Sequence, residues 1–186
     1  MTDRLPLRPT ASQTVGPFFH FALAEQASVA DMAGPDTPGE RMTLRVSVFD
    51  GAGEPVPDAL IELYQADSAG RYAASESTAP AFAGFGRLPT DPDGVCVFRT
   101  IKPGPVPDGR GGLQASHIDV CVLGRGLLRH LFTRMYFAGD PALDSDAIFN
   151  AVTVARRPTL LARVDTPGAW RFDIRLQGPD ETVFFE

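Results

Sequence analysis

The sequence is short of the residues that most often announce a function. Its two cysteines, Cys96 and Cys121, each lie inside an apolar, strand-like stretch, so no spaced disulfide framework is present and both read as reduced core thiols. Three histidines, His20, His117 and His130, are scattered along the chain, whereas a first-row metal site needs at least three protein ligands. No run of lysine or arginine interrupts a formal net charge of -6, which argues against nucleic acid or an anionic membrane as the main partner. Nor does any apolar run approach a membrane span. The N-terminal MTDRLPLRPTASQTVGP is polar and broken by proline, without the apolar centre of a secretory signal. A cytoplasmic location is expected.

What the chain does have is alternation. Met42, Leu44, Val46 and Val48 fall on one parity in RMTLRVSVF, as do Trp170, Phe172, Ile174 and Leu176 in AWRFDIRLQ, the period of half-buried strands. Further strands are predicted at ALIELYQ (59–65), GVCVFRTI (94–101), SHIDVCVL (116–123), HLFTRMYF (130–137) and ETVFFE (181–186). Turns at DGAG (50–53), DPDG (91–94) and TPG (166–168) separate them. Short helices are expected in AEQASVADMA (24–33), ALDSDAIFNAV and RRPTLLARV, where Pro158 opens a turn. Residues 1–20, the loop between Arg71 and Pro92, and KPGPVPDGRGGLQA (102–115) suit no regular element, and long loops of that kind tend to carry function. The fold class is therefore all-β, a β-sandwich with long functional loops, an N-terminal arm and short helices. A chain of 186 residues suits one domain, 1–186.

Chemistry-bearing residues gather around SHIDV. Residues two apart on a strand face the same way, so His117 and Asp119 project side by side, about 6–7 Å apart at the backbone. They are either a hydrogen-bonded core pair or two ligands of a metal whose third ligand comes from elsewhere. Arg134, inside HLFTRMYF, needs an intramolecular carboxylate, a water at the sheet edge or a ligand anion. Tyr72 is either a strand-end aromatic or a ligand. In SQTVGPFFHFAL, Gly16 admits close approach of another backbone or a ligand, Pro17 stiffens the path, and Phe18, Phe19 and Phe21 need a core or a subunit interface to cover them.

Together, SQTVGPFFHFAL, IELYQADSAGRY, FRTIKPGPVP, SHIDV, LFTRMYFAGDP and WRFDIRLQG resemble the intradiol ring-cleavage dioxygenases from end to end. Iron-holding members of that family bind Fe(III) through two tyrosines and two histidines in motifs of the form GRY, KPGPYPW and RPAHIHF; phenolate oxygen is a hard anionic donor suited to that ion. Here GRY is kept at Gly70, Arg71 and Tyr72, and the first histidine is His117. The second tyrosine has become Val106, the second histidine Asp119, and the arginine ahead of the histidines Gln114.

The resemblance thus implies a subunit with no catalytic residue of its own, inactive alone, whose Tyr72, Val106, His117 and Asp119 are vestigial ligand positions. It implies that Fe(III) is held by a homologous iron-binding beta chain, in a higher oligomer of alpha–beta pairs. The implied substrates are protocatechuate and O2, converted to 3-carboxy-cis,cis-muconate in the β-ketoadipate route of aromatic catabolism. By the same resemblance residues 1–24 form an arm on the partner chain, Thr14, Gly16 and Pro17 wall the substrate pocket, and Arg134 binds the substrate carboxylate. Two other readings compete. The chain could be catalytic by itself through Tyr72, His117, Asp119 and an unusual metal, against which Val106 and Gln114 count. Or it could be a non-enzymatic binding module, because GEPVPDALIELYQADSAGRY also resembles transthyretin-like and carboxypeptidase-regulatory β-sandwiches, which are shorter and lack the QTVGPFFHFAL arm.

Overall fold

The computed structural model describes residues 10–73 and 82–185. The first nine residues of the expected arm, part of the loop between Arg71 and Pro92, and Glu186 of ETVFFE lie outside them. Among the described residues ten strands form in chain order: β1 (Arg41–Phe49), β2 (Leu60–Gln65), β3 (Phe85–Pro89), β4 (Val95–Ile101), β5 (Val106–Pro107), β6 (Leu113–Gln114), β7 (His117–Leu123), β8 (Leu131–Phe137), β9 (Leu161–Thr166) and β10 (Ala169–Arg175).

The period-two pattern determines which face each strand buries. In β1 the side chains of Met42, Leu44, Val46 and Val48 are all buried, and in β10 those of Phe172 and Ile174. The two strands run parallel with Val46 beside Phe172 and Val48 beside Ile174, while antiparallel β4 puts Phe98 beside Leu44. Eight strands make one sheet in the order β3-β2-β7-β8-β9-β10-β1-β4. The strand β9 joins its halves, parallel to β8 and antiparallel to β10. The sheet curls so that Leu63, Val120 and Met135 of one half share a core with Val46, Phe98 and Ile174 of the other, the all-β sandwich architecture expected. No helix of the described residues is long and apolar enough to cross a membrane.

Five local expectations need correction. Past Glu25, the stretch 24–33 is not helical: Val29 bridges to Arg87, Asp31 bridges to Arg99, and Met32 enters the core beside Gly86. Strand pairing and a buried side chain there outweigh a modest helix propensity. Helical geometry occurs earlier, from Pro17 to Glu25. In RRPTLLARV only Arg157–Leu160 forms a helical turn, and β9 follows at once. Strands also form in two loops left unassigned, β3 between Arg71 and Pro92 and the paired β5 and β6 within 102–115, while ETVFFE contributes a single bridge, Phe132 to Phe185, rather than a strand. The short helical pieces Pro141–Ser145 and Ala147–Ala151 occur as expected, with the buried Asp146 capping the second by accepting from the Ile148 and Phe149 amides.

Two glycines fasten the GRY loop to the KPGPVP loop. A Cβ on Gly70, whose φ is 76°, would lie 1.9 Å from the Pro105 carbonyl oxygen, and one on Gly104 would lie 2.5 Å from the Ser68 carbonyl oxygen. The Gly104 amide donates to the Asp67 carbonyl at 2.9 Å across the same contact. Only hydrogen at both positions lets the backbones meet, and that contact joins the loop that carries Tyr72 to the loop that carries Val106. Gly70→Ala is expected to cost about 3 kcal/mol or more, through a left-handed φ combined with a backbone clash. Urea denaturation would check it, and a loss below ~1 kcal/mol would contradict the contact.

Candidate functional site

Five of the sequence-predicted residues, Tyr72, Val106, His117, Asp119 and Arg134, belong to one cluster. Strands β7 and β8 pair so that Asp119 stands opposite Arg134 and His117 opposite Tyr136. Arg134 Nε donates to Asp119 Oδ1 at 2.8 Å, and its Nη1 donates to Gln114 Oε1, also at 2.8 Å. Gln114 in turn lies across the β5–β6 ribbon from the buried Val106. The Tyr72 hydroxyl donates to Asp119 Oδ2 at 3.3 Å and lies 3.2 Å from His117 Nε2, and its ring stacks on that of Tyr64. Asp119 therefore has two partners, the guanidinium and the phenol.

His117 is 1 % exposed, and its Nδ1–H donates to the Ala115 carbonyl at 2.7 Å, which leaves Nε2 as the ring acceptor facing Tyr72. Burial, followed by the Arg134 charge, holds its pKa below the ordinary histidine value, so the ring is neutral. Tyr72 is pushed up to about 12, by burial first and then by the Asp119 carboxylate. Beneath His117, Asp146 ties the strand to its support, accepting from the Ala115 amide at 2.8 Å and from the Tyr136 hydroxyl at 3.3 Å. Asp146 and Tyr136 were missed in the sequence. The cue available was Asp146 as N-cap in SDAIF, which predicts a helix start but not a contact with β7. Both cysteines are free, and burial pushes Cys96 up to about 12 and Cys121 to about 11, so neither is poised as a thiolate.

These donors do not fit Fe(III). The phenol is held protonated, the carboxylate is taken up by a guanidinium, and Val106 supplies an isopropyl group where a further anionic oxygen would be needed. A cation such as Arg134 within the cluster adds repulsion toward a trivalent ion. What the arrangement can do is hold a neutral imidazole, a phenol and an ion pair in fixed relation.

The remaining predicted residues lie elsewhere. Thr14 Oγ1 accepts from the Gly126 amide at 2.8 Å and reaches the Gly124 carbonyl at 3.5 Å, in the turn between β7 and β8. Gly124 is five residues beyond Asp119, roughly 17 Å along the strand. Pro17 opens the helical segment, with the Phe19 amide donating to the Gly16 carbonyl at 3.0 Å. A Cβ on Gly16 would meet nothing within 4 Å among the described residues. With Val15, Phe19, His20, Phe21, Asp58 and Arg125, Gly16 and Pro17 border a cleft of about 290 Å³. Within one chain, then, Thr14, Gly16 and Pro17 do not share a pocket with Arg134.

A dioxygenase family profile matches residues 14–178. The chain is 42 % identical to the protocatechuate 3,4-dioxygenase alpha chain of Burkholderia cepacia, over 97 % of this chain and 98 % of that one. It is 39 % identical to the beta chain of the enzyme of the same organism, over 77 % of this chain and 67 % of that one. Among solved structures, the catechol 1,2-dioxygenase of Pseudomonas arvilla C-1 superposes with a TM-score of 0.64 at 28 % identity, covering 82 % of this chain and 58 % of the other.

The ion pair supplies a stability test. With Asp119 about two-fifths exposed, Arg134→Ala is expected to cost about 1–3 kcal/mol, less than for a fully buried pair. Asp119→Ala in the same chain should recover part of that loss, a coupling read from a double-mutant cycle of urea midpoints. Strict additivity of the two losses would contradict the pairing.

Proposed function

Because the chain belongs to the intradiol ring-cleavage dioxygenase family, we propose that it is the alpha-type subunit of a protocatechuate 3,4-dioxygenase that holds no iron and pairs with a homologous beta-type chain that holds Fe(III). One observation carries this reading. At the family's ligand positions stands a closed hydrogen-bonded cluster built on the Arg134 to Asp119 pair, with Val106 beside it. The assembly opens the ring of protocatechuate with O2 to give 3-carboxy-cis,cis-muconate, and this chain contributes no catalytic residue. Its 186 residues act as a single domain, with 1–24 as an arm laid on the partner. Alpha–beta pairs assemble into a higher oligomer. A binding module of the transthyretin-like kind is left without support, since the family match extends far beyond the GEPVPDALIELYQADSAGRY segment.

Within the assembly Thr14, Gly16 and Pro17 wall the substrate pocket of the partner. The open space around Gly16 supports this, since nothing among the described residues requires a glycine there. Arg134 binds the substrate carboxylate, a contact that a guanidinium makes through parallel hydrogen bonds. A second reading rests on its observed partners: with Nε and Nη1 engaged by Asp119 and Gln114, Arg134 is the keystone of its own cluster, and its influence on substrate is indirect.

Two outcomes are expected. The chain expressed alone should bind neither iron nor show visible tyrosinate-to-iron absorption; stoichiometric iron with that colour would overturn the proposal. In the co-expressed complex, Arg134→Ala should raise KM for protocatechuate about tenfold or more with iron content intact. Adding Asp119→Ala separates the two roles of Arg134. A KM that stays high supports the carboxylate contact, and a KM that returns toward wild type supports the keystone reading.

A further inference from the structure

Three groups from distant parts of the chain meet under the arm. His20 Nδ1 lies 2.5 Å from Asp58 Oδ1, His20 Nε2 lies 3.3 Å from Glu25 Oε1, and Arg125 Nε stands 3.7 Å from Asp58 Oδ2. Asp58 thus links the helical part of the arm to the same β7–β8 turn that Thr14 grips through Gly124 and Gly126.

The backbone of Asp58 is built to stay where it is. It has φ 61°, the left-handed region that Asp and Asn enter far more readily than most residues. Its amide donates to the Thr90 carbonyl at 3.1 Å and the next amide, of Ala59, donates to Thr90 Oγ1 at 2.9 Å. Thr90 Oγ1 donates in turn to the Val56 carbonyl at 2.8 Å. The carboxylate is therefore mounted on a turn tied down at three points, while the segment it holds has little packing of its own: Phe18 is 85 % exposed and Phe21 52 % exposed.

We infer that Asp58, with His20 and Arg125, is a positioning latch that sets the arm and so places Thr14, Gly16 and Pro17 against the partner's substrate pocket. This rests on the pocket-wall role proposed above and goes beyond it by naming what holds the wall. The hydrogen bond to Asp58 raises the His20 pKa above its ordinary value against the opposing effect of burial, with further help from the Asp58 charge and from Glu25. The charged groups facing the imidazole are Asp58 and Glu25, with Arg125 behind Asp58. A raised cationic pKa means that the full charged latch is present below the ordinary histidine pKa and loosens as pH rises through the raised value.

The test uses Asp58→Asn, which keeps the left-handed turn and removes the charge, and His20→Arg, which keeps a cation that does not titrate. In the full chain alone, Asp58→Asn should speed chymotryptic cleavage at Phe18 to Phe21 about tenfold, and unchanged cleavage overturns the latch. In the complex with the iron-holding chain, it should raise KM for protocatechuate about tenfold while kcat stays within about twofold. His20→Arg should hold KM near wild type and abolish the part of its rise with pH that wild type shows above the ordinary histidine pKa. A loosened arm with KM unchanged in an active complex overturns the positioning role. A wild-type complex that does not turn over protocatechuate overturns the subunit assignment instead, and with it the pocket role, while the digestion still decides whether Asp58 holds the arm.

Discussion

A guanidinium facing a carboxylate across two paired strands is the contact around which the cluster of Tyr72, Gln114 and His117 is arranged. Arg134 takes up the Asp119 carboxylate inside the protein, and beside this pair the buried imidazole of His117 is neutral and the half-buried Tyr72 phenol keeps its proton. The origins differ: burial is the largest cause for both rings, the Arg134 charge adds to it at His117, and at Tyr72 the Asp119 carboxylate adds to it while Arg134 opposes it. A histidine at position 119 could not neutralise Arg134 in this way. The aspartate at 119 and the arginine opposite it are thus physically complementary, and Gln114 completes the set by accepting from the same guanidinium without adding charge.

The scaffold makes that pairing unavoidable. Register between β7 and β8 puts Asp119 and Arg134 directly across from one another, and cross-strand neighbours on one face are close enough to bond. Asp146 anchors the start of β7 from below, and the Gly70 and Gly104 contact joins the two loops that carry Tyr72 and Val106. The cluster therefore combines side chains from rigid strands with side chains from loops held by backbone contact. At the other end of the same strand pair, the β7–β8 turn receives the arm through Thr14 and Arg125. One hairpin thus organises both places where the chain has chemistry to offer.

Much of this was legible in the sequence, for identifiable reasons. Strands with strict alternation, such as β1 and β10, announce themselves because one face must be buried. FGRLP and LARVDT do not, since neither alternates cleanly and both become strands only because neighbours in the sheet supply their partners. His117 and Asp119 were readable from their spacing as neighbours on one face, but instead of bonding to each other they both face the Tyr72 hydroxyl, with Ala115 and Arg134 as their other partners; the motifs around Tyr72, Val106 and Arg134 carried the family resemblance. What sequence could not reveal was register: that Arg134 meets Asp119 depends on the pairing of two strands, which no single segment encodes. The meeting of His20, Asp58 and Arg125 is hidden for the same reason, since the three come from an arm, a turn and a hairpin loop far apart in the chain.

The central claim is that the metal-binding capacity of the assembly resides wholly in the partner, this chain having exchanged its ligand cluster for an internal ion pair. The iron content of the purified complex, measured against the amounts of the two chains, tests it most directly. A single iron for each pair of unlike chains is the predicted result. Two irons for each pair would contradict the account.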